Sequence, residues 1–182
     1  EDIRTLRQVD VREHMGYAPQ RAYLFSGTVR DNIAFGHPDA TDEELLHAAW
    51  VAAADTFIEA MGGLDARVSH GGGNLSGGQR QRLSIARAVI SRPSILILDD
   101  TFSALDFATE ALVRGRIEEH TRGATMLIVT QRVSTAERAD RVIVLDDGRI
   151  VGIGTHDELI TACGVYGEIV ASQSCEEVVV DE

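Results

Sequence analysis

The fold is decided by the stretch Leu75-Ser76-Gly77-Gly78-Gln79, a helical segment after it, and the run Ile95-Leu96-Ile97-Leu98-Asp99-Asp100. A serine followed three residues later by glutamine is typical of a capped helix start, and Arg92-Pro93 predicts the end of that helix. The apolar run that follows is typical of a parallel strand buried on both faces.

Outward from this stretch, strands and helices alternate, which predicts an α/β fold with a mainly parallel sheet. The predicted strands are a short one that begins at Met15 and has Pro19 and Gln20 at its end, Met126–Val129 (a second buried strand) and Val142–Leu145, the last paired antiparallel with Ile150–Ile153 through Asp147-Gly148. Helix caps are predicted at Thr28, Thr41, Asp55, Ser76, Asp106 and Thr155. We expect residues of about 28–85 to form an inserted helical subdomain, about 90–175 the remaining core portion, and 176–182 an acidic tail.

Composition excludes several classes of function. The net charge of -12 argues against a nucleic-acid surface, which needs clustered positive charge. No apolar run approaches the roughly 20 residues of a membrane-spanning helix. Cys163 and Cys175 are isolated and are expected to be free thiols. All 17 basic residues are arginine, so the chain contains no lysine.

The helix start at Ser76 has the chemistry of an anion site. Gly77 and Gly78 place backbone N–H groups at the positive end of the helix dipole and allow an anion to approach closely. A bare Gly-Gly would be an ordinary helix start, but here Arg80-Gln81-Arg82 and then a strand ending in aspartate follow.

The end of the predicted strand has the chemistry of a metal site. Asp99 lies at the carboxyl edge of a parallel sheet, where ligands of such folds bind. Its carboxylate suits Mg²⁺, which prefers oxygen ligands. Asp100 follows it directly and is placed to point at a reacting phosphate.

Taken together, Leu75–Gln79, the strand to Asp99, Ser103–Asp106 and the strand to Thr130 closely resemble the nucleotide-binding domain of ATP-binding cassette (ABC) transporters. These would be the signature motif, Walker B, the D-loop and the strand before the H-loop. Gln20 would be the Q-loop glutamine, and Ala22–Ile33 resembles exporter-type members in particular. The resemblance extends over essentially the whole chain.

The resemblance implies a role for each of these positions. In the family two domains enclose two ATP molecules, and each site pairs one domain's Walker B with the other domain's signature. By resemblance, the nucleotide contacts would be made by Ser76, Gly77, Gly78, Gln79 and Gln20, with the signature residues touching the γ-phosphate of ATP held by the partner. Mg²⁺ of this chain's own site would be bound by Asp99 and Gln20, and the D-loop would be Ser103, Ala104, Leu105 and Asp106.

Three departures from the family pattern change this interpretation. Without a lysine, no Walker A motif Gly-x-x-x-x-Gly-Lys-Ser/Thr can be present, so we expect a C-terminal fragment that binds ATP poorly alone. Asp100 stands where the family usually has glutamate, and its shorter side chain is a poorer general base. Gln131 stands where the family usually has histidine, and it cannot carry the charge. The catalytic positions by resemblance are Asp100 and Gln131. The departures at both positions together predict the slowly hydrolysing site of a heterodimeric exporter.

We therefore expect the ATP-hydrolysing part of an exporter, working with ATP and Mg²⁺ at the cytoplasmic face of the plasma (inner) membrane. Its partners would be a second, non-identical nucleotide-binding domain and the membrane domain of the same full-length chain, with no nucleic acid. Two alternatives remain open: a soluble ABC-class ATPase, and a regulatory half that binds ATP with little hydrolysis.

Overall fold

The computed structural model describes residues 2–177, which divide into two compact units. The first unit ends at Val129 and the second begins at Thr130. Strands alternate with helices and the larger sheet is parallel, so the predicted α/β class is confirmed.

The first unit contains most of the regular structure. Its helices are α1 (Gln8–Glu13), α2 (Val29–Ile33), α3 (Asp42–Val51), α4 (Asp55–Met61), α5 (Gly77–Val89) and α6 (Phe107–His120). Its strands are β1 (Met15–Ala18), β2 (Gly27–Thr28), β3 (Arg67–Val68), β4 (Ile95–Asp99) and β5 (Thr125–Val129). Helix α1 was not predicted, because its few apolar residues are not arranged around a buried face.

Four of the predicted caps in this unit are confirmed, since each side-chain oxygen accepts a hydrogen bond from the N–H three residues later: Thr28, Thr41, Ser76 and Asp106. The fifth was displaced by one residue. Ala54 occupies the cap position of α4, and Asp55 is the first helical residue, where its charge favours the helix dipole.

A three-stranded parallel sheet, in the order β1-β4-β5, forms the centre of the first unit. The register pairs Ala18 with Leu98 and Leu98 with Ile128. Leu96 and Leu98 are 0% and 1% exposed, and they belong to one hydrophobic cluster with the buried residues of α5 and α6. The alternation of side chains along a strand puts Leu96 and Leu98 on the same, covered face.

The prediction that β4 and β5 are buried on both faces was wrong for this unit. On the second face, Ile95 is 38%, Leu127 51% and Val129 49% exposed. The buried residues of α5 and α6 belong to the hydrophobic cluster on the covered face, whereas these three side chains do not belong to it. Asp99 lies on this open face, two residues after Ile97.

Helix α5 packs directly against β1, and Gly16 makes this approach possible. A Cβ at Gly16 would lie 2.1 Å from the carbonyl oxygen of Ala88, closer than real Cβ atoms come to a backbone oxygen. The hydrophobic cluster also runs without a break from α3 into the sheet. The predicted division into a helical subdomain of about 28–85 and a core portion of about 90–175 stays a prediction.

The second unit contains the predicted hairpin. Its elements are α7 (Val133–Ala136), β6 (Val142–Asp146), β7 (Arg149–Gly154), α8 (His156–Ala162) and α9 (Gly164–Glu177). Strands β6 and β7 form an antiparallel sheet of their own, and the capping box of α8 at Thr155 is confirmed. Cys163 is a buried free thiol, as predicted.

The predicted acidic tail, residues 176–182, is described only in part, because α9 continues to Glu177 and residues 178–182 lie outside the described part of the chain. None of the helices described within residues 2–177 has the length and apolar character needed to cross a membrane.

Candidate functional site

The start of α5 is a capped and exposed helix end. Ser76 Oγ accepts a hydrogen bond from Gln79 N–H at 3.2 Å, and Gln79 Oε1 accepts one from Ser76 N–H at 2.9 Å. Gly77 and Gly78 follow the cap, and N–H groups in a first helical turn have no carbonyl partner inside the helix. Ser76 and Gly77 are exposed. These N–H groups and the Ser76 hydroxyl can therefore donate to an incoming anion.

The loop before this helix is fixed by its own hydrogen bonds. Asn74 accepts from the backbone N–H and the hydroxyl of Ser69, both at 2.9 Å. Arg80 donates to the carbonyl oxygen of Leu75 at 2.8 Å. Gly72 has a φ of +71°, and a Cβ there would lie 2.8 Å from the Arg80 side chain. The chain therefore enters the helix along a defined path.

The far end of α5 is held by Arg87. Its guanidinium donates to the carbonyl oxygens of Tyr23 at 3.0 Å and Asn32 at 2.8 Å, and to Asn32 Oδ1 at 2.8 Å. Burial lowers the pKa of Arg87 below its usual value. This network ties α5 to α2 and to the segment that follows β1.

Residues Ser103 to Asp106, the predicted D-loop, lie between the end of β4 and the start of α5 in space. A Cβ at Gly78 would lie 3.2 Å from the Ala104 carbonyl oxygen, so this loop packs against the first turn of α5. Ser103 Oγ donates to the carbonyl oxygen of Asp100 at 2.8 Å. Leu105 is buried, at 7% exposure. Asp106 caps α6, and the hydrogen bonds it accepts lower its pKa.

Two carboxylates and two neutral side chains meet where β1 and β4 end. The Tyr17 hydroxyl donates to Asp99 Oδ2 at 3.1 Å, and Gln20 Nε2 donates to Asp100 Oδ2 at 2.9 Å. The first bond raises the pKa of Tyr17. Asp100 has a φ of +43° and donates its N–H to the carbonyl oxygen of Val129. The structure therefore pairs Gln20 with Asp100 rather than with Asp99, which the sequence had placed beside Gln20.

The donor set at this cluster fits Mg²⁺. Asp99 Oδ1, Gln20 Oε1 and the second oxygen of Asp100 are hard oxygen donors, and none of these atoms is engaged in the hydrogen bonds just described. Among the described residues no group of three or more His, Cys, Asp or Glu could enclose a metal ion. Mg²⁺ usually takes one or two carboxylates from a protein and keeps waters and phosphate oxygens as its other ligands.

Tyr17 was not identified from the sequence. It pairs with Ile97 in the parallel register, two residues before Asp99 on the same face. The period of two along β4, combined with that register, is the signal that could have found it.

Gln131 lies in the second unit, just after β5. Its backbone carbonyl accepts a hydrogen bond from Gln173 Nε2 at 2.6 Å, and Gln173 Oε1 accepts one from Val133 N–H at 2.9 Å. The backbone at Gln131 is thus anchored to α9. The catalytic role of its side chain stays a prediction.

The chain is similar in sequence and in fold to known proteins. The sequence model described as ABC transporter matches residues 1–103. An uncharacterized ABC transporter ATP-binding protein of Mycobacterium tuberculosis is 52% identical over 177 residues, which cover 91% of this chain and 30% of that protein. The beta-(1→2)glucan export ATP-binding/permease protein of Bradyrhizobium diazoefficiens is 41% identical over 172 residues, covering 94% of this chain and 29% of that protein.

Among solved structures, a bacterial Atm1-family ABC exporter with ATP bound has a TM-score of 0.90 and 36% identity to this chain. The match covers 95% of this chain and 30% of the exporter chain. The chain therefore spans about 30% of the length of the relatives that it matches.

Proposed function

Because the chain belongs to the ABC transporter family of ATP-binding domains, we propose that it is the ATP-binding and ATP-hydrolysing portion of an exporter. It couples ATP binding and hydrolysis to export of a substrate across the membrane, and it lies at the cytoplasmic face through a membrane domain of the same protein. The names of two relatives, a glucan export protein and an Atm1-family exporter, favour this over a soluble ATPase of the same class.

One observation carries the proposal: the exposed, capped start of the 13-residue helix α5. Gly77 has open space where a side chain would be, since the nearest atom to a Cβ there is 4.0 Å away. A phosphate can therefore reach the first-turn N–H groups of Gly77 and Gly78, which have no carbonyl partner inside the helix. By family resemblance, this phosphate belongs to ATP held by a second nucleotide-binding domain.

At the chain's own site, residues at and just after the ends of β1 and β4 would bind Mg²⁺ and orient the carboxylates. Asp99 and Gln20 supply oxygen donors for Mg²⁺, and bound Mg²⁺ neutralises phosphate charge. Tyr17 orients Asp99 through its hydroxyl. Asp100 is the residue placed to accept a proton from an attacking water, but Gln20 already donates to one of its oxygens.

We further propose that this own site hydrolyses ATP slowly and that the partner is a non-identical half. Asp100 is one methylene shorter than glutamate, so its carboxylate reaches less far from the strand end. Gln131 lacks the charge of a protonated histidine. The alternative of a regulatory half differs only in the rate of ATP hydrolysis, because there this site binds ATP with little or no hydrolysis.

The contribution of the helix start is tested by Ser76→Asp in the complete protein assembled with its partner. Aspartate is as good a cap as serine, so α5 remains folded, but its charge repels a phosphate. We expect ATPase activity to fall by at least about 10-fold. The matched control is Thr155→Asp, the same kind of change at the exposed cap of α8. Unchanged activity in Ser76→Asp would contradict the proposed phosphate contact.

The slow-site proposal is tested separately with Asp100→Glu combined with Gln131→His. We expect turnover at this chain's site to rise. The control is Asp147→Glu, because Asp147 has a φ of +45° and so carries the same backbone strain as Asp100. No gain in the double variant would refute the slow-site proposal and leave the exporter assignment standing.

The exporter assignment is tested by whether the ATPase activity depends on a membrane. Complete protein in sealed vesicles should show ATPase activity that depends on the lipid-embedded assembly. A fully active protein that stays in the supernatant without membranes would favour the soluble ATPase.

A further inference from the structure

An open cavity of about 380 Å³ lies in the first unit and shares no residue with the candidate site. It forms where α3, the segment after α5 and the end of α6 meet. Its lining consists of His47, Trp50, Arg92, Arg116, Glu119 and His120. Two arginines and two histidines in one cavity stand out in a chain with a net charge of -12.

Arg116 is a fixed cation at this cavity. Its guanidinium carbon lies 4.2 Å from the centre of the Trp50 ring, and it donates to the Trp50 carbonyl oxygen. Its only ion-pair partner among the described residues is Asp55, at 3.9 Å. At this distance Asp55 forms no hydrogen bond with the guanidinium.

Arg92 is a cation without a direct partner. Within residues 2–177 its guanidinium makes no hydrogen bond or ion pair, and the side chain is exposed. Its backbone has a φ of +48° immediately before Pro93. Both features restrict the backbone, so the direction in which Arg92 leaves the chain is set.

The two histidines face each other. His47 Nε2 lies 3.1 Å from His120 Nδ1, and His120 Nε2 lies 3.3 Å from the carbonyl oxygen of Val89. A carbonyl oxygen only accepts, so Nε2 of His120 carries a hydrogen and Nδ1 accepts from His47 when both rings are neutral. One added proton can sit between the rings after His47 changes tautomer.

Neither nearby carboxylate forms a direct ion pair with Arg92 or Arg116 in the described part of the chain, although hydrogen bonds from Thr41 and, after them, the charge of Arg92 are among the causes that lower the pKa of Glu44. Glu119 lies 3.8 Å from Arg122, a residue that does not line the cavity. Glu44, at the edge next to His47 and Arg92, accepts both hydrogen bonds of the Thr41 cap. The positive groups of the cavity are therefore not neutralised by direct ion pairs with these acids.

We propose that this cavity binds a doubly charged tetrahedral oxyanion, the chemistry of a phosphate group, through Arg92, Arg116 and the histidine pair. The cavity is larger than the oxyanion alone, so the phosphate can be free or part of a small organic ester. Such binding is separate from the ATP sites of the proposed function.

Binding of this anion is linked to a proton. Burial, and then the neighbouring charges of His47 and Arg92, lower the pKa of His120. A dianion beside the ring favours the protonated form, so the pKa rises on binding and one proton is taken up. The groups that face His120 are His47 and Glu44 on α3, Arg92 after α5, and Arg116 and Glu119 on α6. Affinity therefore falls as pH rises, by up to about 10-fold for each pH unit.

The test uses the complete, nucleotide-free protein and the fluorescence of Trp50, the one tryptophan of this chain, isolated as the difference from a Trp50→Phe variant. Sulfate is the probe for the pH dependence, since it stays a dianion from about pH 6 to about pH 8. Inorganic phosphate and glycerol 3-phosphate are the probes for the source of the phosphate group.

The decisive variant is Arg92→Asn, because asparagine tolerates a positive φ and removes only the cation. The control is Arg149→Gln, which removes one charge at an exposed position of β7. We expect saturable sulfate binding that weakens at higher pH, and affinity at least about 5-fold lower in Arg92→Asn but not in Arg149→Gln. His120→Gln should bind without the pH dependence.

Tighter binding of glycerol 3-phosphate than of phosphate supports an ester, and the reverse supports free phosphate. The proposal is overturned if no saturable signal depends on Trp50, or if Arg92→Asn and Arg149→Gln bind alike. A thermal unfolding curve that matches the parent protein shows that Arg92→Asn is folded.

Discussion

Replacing Asn32 with alanine should release helix α5 from the segment that follows β1. Asn32 is 0% exposed. Its side-chain oxygen accepts from Phe25 N–H at 2.9 Å and from Arg87 at 2.8 Å. Its side-chain nitrogen donates to the carbonyl oxygens of Phe25 and Thr28, both at 2.9 Å. Alanine removes all four of these hydrogen bonds, although Arg87 keeps its bonds to the carbonyl oxygens of Tyr23 and of residue 32.

Each lost hydrogen bond contributes about 1 kcal/mol to stability, so Asn32→Ala should destabilise this region by about 3–4 kcal/mol. Hydrogen exchange of the complete protein, measured by mass spectrometry, reports this loss of stability segment by segment. Because every 1.4 kcal/mol is about a factor of ten, amides of residues 23–33 should exchange at least about 100-fold faster.

The matched control is Asn74→Ala. Asn74 also bonds to backbone groups, those of Ser69 and Arg67, but it is exposed, so water replaces the lost bonds. We expect an effect of about 1 kcal/mol or less there. The reasoning fails if Asn32→Ala accelerates exchange in its own segment no more than Asn74→Ala does in its segment.

Three further predictions concern the site. Tyr17→Phe removes the hydrogen bond to Asp99 and should raise the Mg²⁺ concentration for half-maximal ATPase by about 10-fold; an unchanged Mg²⁺ dependence would show that the bond positions nothing. Gly77→Ala should keep or slightly raise the stability of α5 while lowering ATPase activity. Gly78→Ala should lower both, because its Cβ would lie 3.2 Å from the carbonyl oxygen of Ala104. Thermal unfolding and ATPase assays separate these outcomes. The folded-state pKa of Asp106 is lowered, so its cap stabilises α6 above the usual aspartate pKa, and this stabilisation is lost as the pH falls through the lower, folded value. Asp106→Asn should remove this acid sensitivity from the hydrogen exchange of α6. An equal loss of α6 protection at low pH in both proteins would contradict the prediction.

The sequence was sufficient for features that depend on neighbours along the chain. The capping boxes at Thr28, Thr41, Ser76 and Thr155 were predicted correctly, because a side-chain oxygen and an N–H three residues away meet whenever the helix forms. The hairpin through Asp147 and Gly148 was predictable for the same reason.

Features that depend on what covers a strand were not predictable in this way. The apolar runs of β4 and β5 indicated burial on both faces, but the apolar character of Leu127 and Val129 says nothing about which helix lies above them. The contact of Tyr17 with Asp99 needs the register of β1 against β4, which joins residues 82 positions apart. The pairing of Gln20 with Asp100 depends on the left-handed backbone at Asp100, which the residue type permits without requiring.

The two halves of the candidate site differ in how much must change when a nucleotide arrives, and this difference bears on the proposed slow site. At the start of α5 the cap and the loop bonds are formed, and the N–H groups of Gly77 and Gly78 have no carbonyl partner inside the helix. At the strand end, Asp99 and Asp100 each already accept a hydrogen bond from a neighbour, Tyr17 or Gln20, so part of their acceptor capacity is used before a water or a metal ion arrives. A preorganised donor set gains most in catalysis, because it needs no reorganisation at the moment of reaction. We infer that the helix start assists the partner's ATP more than the carboxylates assist their own, even before the shorter Asp100 side chain and the uncharged Gln131 are counted.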